Sequence, residues 1–269
     1  MHSILFRIGN FELHTWGLAL VLSIVLGVWV ASKRAKKFGI ETSQILDLAF
    51  VIMVAAIIGS RLWYVLFHLD EFRGNWFDVI NPVHDDYFGI AGLSMVGGVV
   101  LAVIAAFIYT RVRKLNFLEI GDTVAPSFLL GAGIQRVGGC FMAGCCFGKP
   151  TDCGLGVVFP PGSVAGSIFP GQALYPAQLL ASLLGFLGFV LVLWLGRWHR
   201  FKGYTMWMVF AYYAVDRFLV DQFRYYEPEQ IMGRLGPVVF NVNHLLLAAM
   251  FVVSAAFWIR GYLRSRLPA

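Results

Sequence analysis

Long, unbroken apolar runs constrain this chain more than any other feature. WGLALVLSIVLGVWVAS (residues 16–32) and LLASLLGFLGFVLVLWLG (residues 179–196) each hold no charged residue. A helix needs about 20 apolar residues to cross a bilayer, and inside the bilayer every backbone polar group must be satisfied within the protein. The runs are continuous rather than alternating, so they read as helices and not as barrel strands. Composition agrees: 59% of the 269 residues are hydrophobic, 13% are charged, and the mean hydropathy is +0.73. The expected class is an all-α integral membrane protein, built as a single polytopic membrane domain over residues 1–269. The opening residues MHSILFRIGNFELHTWG lack the basic–apolar–small pattern of a cleavable signal peptide, so the first span is expected to be retained.

Seven spans are predicted, at 15–32, 45–68, 89–110, 123–147, 174–196, 203–223 and 242–260. Basic residues orient them. Lys33, Arg34, Lys36 and Lys37 follow the first span, and Arg111, Arg113 and Lys114 the third. Arg197, Arg200 and Lys202 follow the fifth, and Arg260, Arg264 and Arg266 the seventh. These thirteen of the 21 Lys and Arg residues fall on one side. That side is expected to be cytoplasmic, with the N-terminus outside and the C-terminus inside. The loops 69–88, 148–173 and 224–241 then form a small outer cap. The positive-inside bias accounts for the basic pI, and no basic soluble segment is present to bind nucleic acid.

Arg61, Arg136, Arg217 and Arg224 sit in or at the end of spans. A mid-bilayer arginine costs roughly 2.5–3.5 kcal/mol on insertion scales, so such residues normally face protein or a watery cavity. The topology places all four toward the outside, where they are able to line one cavity. Guanidinium binds phosphate through a bidentate fork and never deprotonates, so a phospholipid headgroup is the expected ligand. Plainer accounts stand beside this one. Arg217 is placed to pair with Asp221 one helical turn on, and Arg224 follows Asp221 by three residues. Arg61 is near enough to an interface to snorkel. Arg136 has no carboxylate within four residues on either side. The glycines around it, Gly138 and Gly139 among them, admit either a close ligand or close helix packing.

Cys140, Cys145, Cys146 and Cys153 match no standard zinc spacing, and neither a metal nor a cofactor is expected. Their place toward the oxidising side is compatible with disulfides, and equally with small-residue packing.

QRVGGCFMAGCCFGKPTDCGLGVVFPPG, followed by LYPAQLL, resembles the prolipoprotein diacylglyceryl transferases. So do IGNFELHTWGLAL at the start, GSRLWYVLF in the second span, GLSMVGGVV in the third and FAYYAVDRFLVDQFR in the sixth. The resemblance runs in order along nearly the whole chain. It implies an enzyme of the bacterial inner membrane that transfers a diacylglyceryl group from phosphatidylglycerol to the lipobox cysteine of a prolipoprotein. Glycerol phosphate leaves. It implies that Arg136 and Arg224 are catalytic, and that Arg136, Arg61, Arg217, Gly138, Gly139, Asp221 and His14 bind substrate. Asp221 falls where the family usually has Glu.

Several positions depart from the family pattern. Val96 stands where the family usually has His or Tyr, a proposed proton acceptor, and Trp16 stands where it has Tyr. Gly139 replaces an Asn found in some members. Leu180 and Ala181 replace an aromatic residue and a Glu. The proton acceptor is left open among His14, Tyr64, Tyr87 and the bound phosphate. Two other readings remain: a phospholipid-binding paralogue with a different acceptor or no chemistry, and an anion transporter. The transporter lacks the matched broken helices expected of one.

Overall fold

In the computed structural model the described residues are 4–8, 11–74, 76–79, 81 and 92–266. Contacts divide the chain into two compact units, one formed by Met1–Arg34 with Gly121–Ala269 and the other by Ala35–Ile120. An antiparallel hairpin, β1 (Ile4–Ile8) and β2 (Phe11–His14), runs straight into α1 (Thr15–Ala35). Then come α2 (Thr42–Phe67), α3 (Met95–Val112) and α4 (Phe117–Ile134), which continues as a π-helical stretch over Gln135–Phe141. A short ribbon follows, β3 (Val157–Val158) and β4 (Ala173–Leu174), with α5 (Val164–Ile168) between its strands. The chain closes with α6 (Ala177–Leu195), α7 (Tyr204–Phe223), the hairpin β5 (Ile231–Leu235) and β6 (Val238–Asn241), and α8 (Val242–Arg264).

Among the described residues, six helices are long and apolar enough to cross a membrane: Thr15–Phe38, Thr42–Phe67, Met95–Val112, Phe117–Phe141, Ala177–Trp198 and Val242–Arg264. They lie on six of the seven expected spans. Helix α7 occupies the remaining segment, but Asp216, Arg217 and Asp221 leave it more polar than the others. Helix α4 begins at Phe117, earlier than the expected 123, because the Asn116 side chain accepts the N–H groups of Leu118 and Glu119 at 3.0 and 3.3 Å.

That early start places Asp122 inside α4, where it is fully buried. One of its oxygens accepts the N–H groups of Thr205 and Met206 at 2.7 and 2.9 Å, and the other accepts Gly203 N–H at 2.7 Å. His199 Nε2 lies 2.9 Å from the same carboxylate. A carboxylate from one helix thus satisfies the free N–H groups that open another, and its charge suits that helix's positive end. Arg34 donates to the backbone carbonyl of Asp122 at 2.9 Å.

Serines hold the helices of the same unit together. Ser127 donates to the Gly27 carbonyl at 2.7 Å, Ser23 to Gly131 at 3.2 Å and Ser182 to Gly133 at 2.8 Å. Small residues let α1 and α6 approach α4 this closely. The 148–173 segment has its own core of Phe147, Phe159, Ala165 and Leu174, joined by Phe141, Phe169 and Tyr225.

In the other unit, α2 packs on α3. A β-carbon added to Gly97 would collide with Gly59 and Trp63 of α2, so this pair of glycines is set by close helix approach. Tyr109 donates to the Gln44 carbonyl at 3.0 Å, and Arg113 pairs with Asp47 at 2.8 Å.

Candidate active site

The π-helical stretch shapes the site. An α-helix wound one residue wider here, as π-bulges at functional positions often are, carries Arg136, Gly138, Gly139 and Cys140 together. The guanidinium of Arg136 is half-buried, and its Nη1 lies 3.7 Å from Cys140 Sγ. Among the described residues no carboxylate comes within ion-pair distance of it. Arg136 lines a cavity of about 30 Å³ with Ala132, Ala181, Tyr213, Asp216, Arg217 and Val220. That is room for a water or two. Two guanidinium groups and one buried carboxylate therefore share a small, largely enclosed space.

Helix α7 delivers the other charged groups. Arg217 Nη2 lies 3.0 Å from Asp221 Oδ1, and it also donates to the Tyr226 hydroxyl at 3.3 Å. Arg224 Nη1 lies 3.7 Å from the same Asp221 oxygen, and its guanidinium rests over the Tyr226 ring at 5.2 Å. The second Asp221 oxygen faces His244 Nε2 of α8 at 3.5 Å. Asp221 is fully shielded from solvent, so one buried carboxylate organises two arginines and a histidine. Burial raises the Tyr226 hydroxyl above its ordinary pKa, against the lowering effect of Arg224 and Arg217.

Backbone geometry fixes where Arg224 starts. The residue ends α7, and the strand-like pairing of Gly148 with Arg224 holds it, with Lys149 N–H donating to Phe223 O at 2.9 Å and Tyr225 N–H to Phe147 O at 3.1 Å. Gly148 allows this crossing, because a β-carbon there would strike the carbonyl oxygens of Tyr175 and Phe223. Lys149 donates to the Gln222 carbonyl at 2.9 Å, and burial lowers its pKa. A wider apolar cavity of about 510 Å³ lies between α7, α8 and the β5–β6 hairpin. Phe218, Phe240 and Phe251 line it, and His244 stands in its wall.

The expected site residues are distributed as follows. Arg136 and Arg217 share the small cavity, and Asp221 joins Arg217 to Arg224. Gly138 packs toward Ala19 of α1, and Gly139 toward Gln135 and Trp16. His14 is exposed at the end of β2, 3.7 Å from Glu12. Arg61 belongs to the other unit, where it donates to the carbonyls of Val79 and Gly92 at 2.8 and 3.2 Å and rests over Phe72. Tyr64, an alternative proton acceptor, donates to Glu71 at 2.9 Å. Val96 is exposed at the start of α3. Tyr87 lies outside the described residues, as does much of the loop 69–88.

Sequence reasoning passed over Asp216. The sequence offers Asp221 as the partner of Arg217 and gives Asp216 no role. Yet Asp216 is buried, and it lines the same cavity as Ala181, which stands where the resembling family usually has Glu.

The sequence profile of prolipoprotein diacylglyceryl transferases matches residues 3–260. The chain belongs to that family. It is similar to the phosphatidylglycerol–prolipoprotein diacylglyceryl transferase of Geobacter sulfurreducens, 30% identical over 93% of this chain and 91% of that protein. It is also similar to the enzyme of the same name from Fusobacterium nucleatum, 30% identical over 96% of this chain and 97% of the relative. The transferase 1 of Clostridium perfringens is 33% identical over 83% of each chain. Diacylglyceryl transfer needs no nucleophile from the enzyme, because the attacking thiol is on the acceptor. An arrangement of fixed cations suits such a family.

Proposed function

We propose that this transferase moves the diacylglyceryl group of phosphatidylglycerol to the lipobox cysteine thiol of prolipoproteins, the first step of lipoprotein maturation. It does so in the bacterial inner membrane. The observation that carries this reading is the cluster of fixed cations on neighbouring helices, with Arg136 and Arg217 about one small cavity and Arg224 joined to Arg217 through Asp221. A carbon–sulfur bond forms at the glycerol carbon as the carbon–oxygen bond to phosphate breaks. Glycerol phosphate takes the electron pair, and the thiol proton passes to a base. Arg136 and Arg224 hold the phosphate and stabilise the charge that grows on its leaving oxygen. Arg217, Gly138, Gly139 and His14 contribute to binding, and Asp221 positions the two arginines of α7. Asp216 joins the candidates for the proton acceptor. The apolar cavity beside α8 takes an acyl chain.

The protein spans the membrane seven times, α7 included, with its N-terminus outside. The four basic segments on one side support this, and packing of α7 against α6 and α8 within the bundle makes its charges affordable. The charged side chains of α7 then face protein, as intramembrane charges normally do.

The test is reconstitution of purified protein with phosphatidylglycerol and a lipobox peptide, following peptide mass and released glycerol phosphate. A diacylglyceryl mass gain, absent with Arg136→Ala, is the expected result. Retained phosphatidylglycerol binding with no gain would overturn the reading in favour of a lipid-binding paralogue.

A further inference from the structure

Three thiols converge beside Arg136. Cys140, Cys145 and Cys146 place their sulfurs within 4.8 Å of one another, with Cys140 buried and the other two half-buried. Their spacing does not announce this, and two local distortions produce it. The π-helical stretch carries Cys140 inward. Cys146 then adopts a left-handed backbone at φ 57°, a conformation unfavourable for a non-glycine residue. A strained residue of this kind persists only where its surroundings over-determine it. Here Cys145 N–H donates to the Cys140 carbonyl at 3.0 Å, and the Gln178 amide holds the Cys145 carbonyl at 2.8 Å. Cys153, the fourth cysteine, is exposed and outside the trio.

We propose that these three cysteines form a binding site for one soft d10 metal ion, of the class of Zn²⁺ or Cd²⁺. Thiolates about 2.3 Å from Zn²⁺ stand about 3.8–4.0 Å apart, so the trio needs only a small contraction to become a ligand set. A pairwise disulfide would leave one thiol over, whereas a metal uses all three. Binding releases the thiol protons, and three thiolates with one divalent cation leave a single net negative charge. The Arg136 guanidinium, 3.7 Å from Cys140 Sγ, is placed to neutralise it. Metal binding thereby draws on the cation assigned above to the lipid phosphate, so the loaded protein is inhibited. The inhibition rests on the transferase reading; the metal site does not.

The test uses the full-length protein, reduced and metal-free, titrated with Cd²⁺. The expected result is a thiolate-to-cadmium ultraviolet band that saturates at one ion per chain. It persists in Cys153→Ser and is lost in Cys146→Ser. Maleimide labelling of the wild-type protein, read by mass spectrometry, needs no variant: Zn²⁺ should slow labelling of all three cysteines together by about tenfold or more. Absence of the band, unequal protection within the trio, or a trio disulfide in protein purified without reductant would overturn the site. Transfer measured in the same samples should fall at least tenfold with Zn²⁺ and return with chelator. Unchanged transfer at full occupancy overturns the inhibition. Loss of transfer in the metal-free wild type would instead count against the transferase reading and leave the binding result standing.

Discussion

Asp221 holds Arg217 at 3.0 Å across one turn of α7, and the same oxygen faces Arg224 at 3.7 Å. Neutralising it leaves Arg217 and Arg224 without the carboxylate that ties them together, and Asp216 of the small cavity as the remaining buried acid beside Arg217. Asp221→Asn should lower kcat/KM for transfer by about 10–100-fold and lower the melting temperature, because breaking a buried pair typically costs about 3–5 kcal/mol. Kinetics and thermal unfolding of the same preparation check both. A variant with wild-type turnover would show that Asp221 does not position the arginines.

Arg136 is expected to act through its fork as well as its charge. Arg136→Ala should reduce transfer by about 10²–10³-fold, the size expected when a preorganised donor to a developing oxyanion is lost. Arg136→Lys keeps the charge but not the bidentate geometry, so it should recover only part of that loss. Equal rates for the lysine variant and the wild type would argue that charge alone suffices.

Asp216 and Ala181 share a cavity with Arg136 and Arg217. Removing the carboxylate by Asp216→Asn should slow transfer by about tenfold or more. Adding Ala181→Glu to that variant returns a carboxylate to the cavity from α6 and should recover part of the rate. No recovery in a well-folded double variant would mean the position of Asp216 matters, not merely its charge.

Asp122 is a stability residue. Asp122→Ala strips three backbone N–H groups of their acceptor in a buried place, at an expected cost of about 3–5 kcal/mol. The melting temperature in detergent should fall by several degrees, while the KM for phosphatidylglycerol in the surviving fraction stays close to wild type. A large KM change at unchanged stability would place Asp122 in substrate binding instead.

Gly97 tests the α2–α3 seam. Gly97→Val forces a branched side chain against Gly59 and Trp63. Overpacking of this kind costs about 1–3 kcal/mol. Limited proteolysis should show faster cleavage in the 35–120 region than elsewhere. An unchanged digestion pattern would show that the helices separate without penalty.

The sequence displayed the spans because a bilayer demands long apolar runs, and such runs survive any local reading. It displayed Arg136 and Arg217 because a charge in such a run is conspicuous. It hid Asp122, whose partners Gly203, Thr205 and Met206 lie some 80 residues away and are backbone groups with no signature of their own. Near the edge of an apolar run, that aspartate looked like the end of a loop. Asp216 carries no sequence signal of its own, because its place beside Arg136 depends on how α4, α6 and α7 pack around one cavity. The gathering of Cys140, Cys145 and Cys146 depends on a π-helical stretch and one left-handed residue, and neither follows from spacing. The small hairpins β1–β2 and β5–β6 were likewise invisible among neighbouring spans.

The clasp of Asp122 on the start of α7 also bears on how the chain is made. Synthesis delivers α4 long before α7, so the carboxylate is already in place when residues 203–206 emerge. The newcomer meets a ready acceptor for its three exposed N–H groups, which lipid is unable to supply. A late helix burdened with two aspartates and an arginine is thus received by its predecessor instead of being left to enter the bilayer unaided. Order of synthesis and architecture are matched at that one carboxylate.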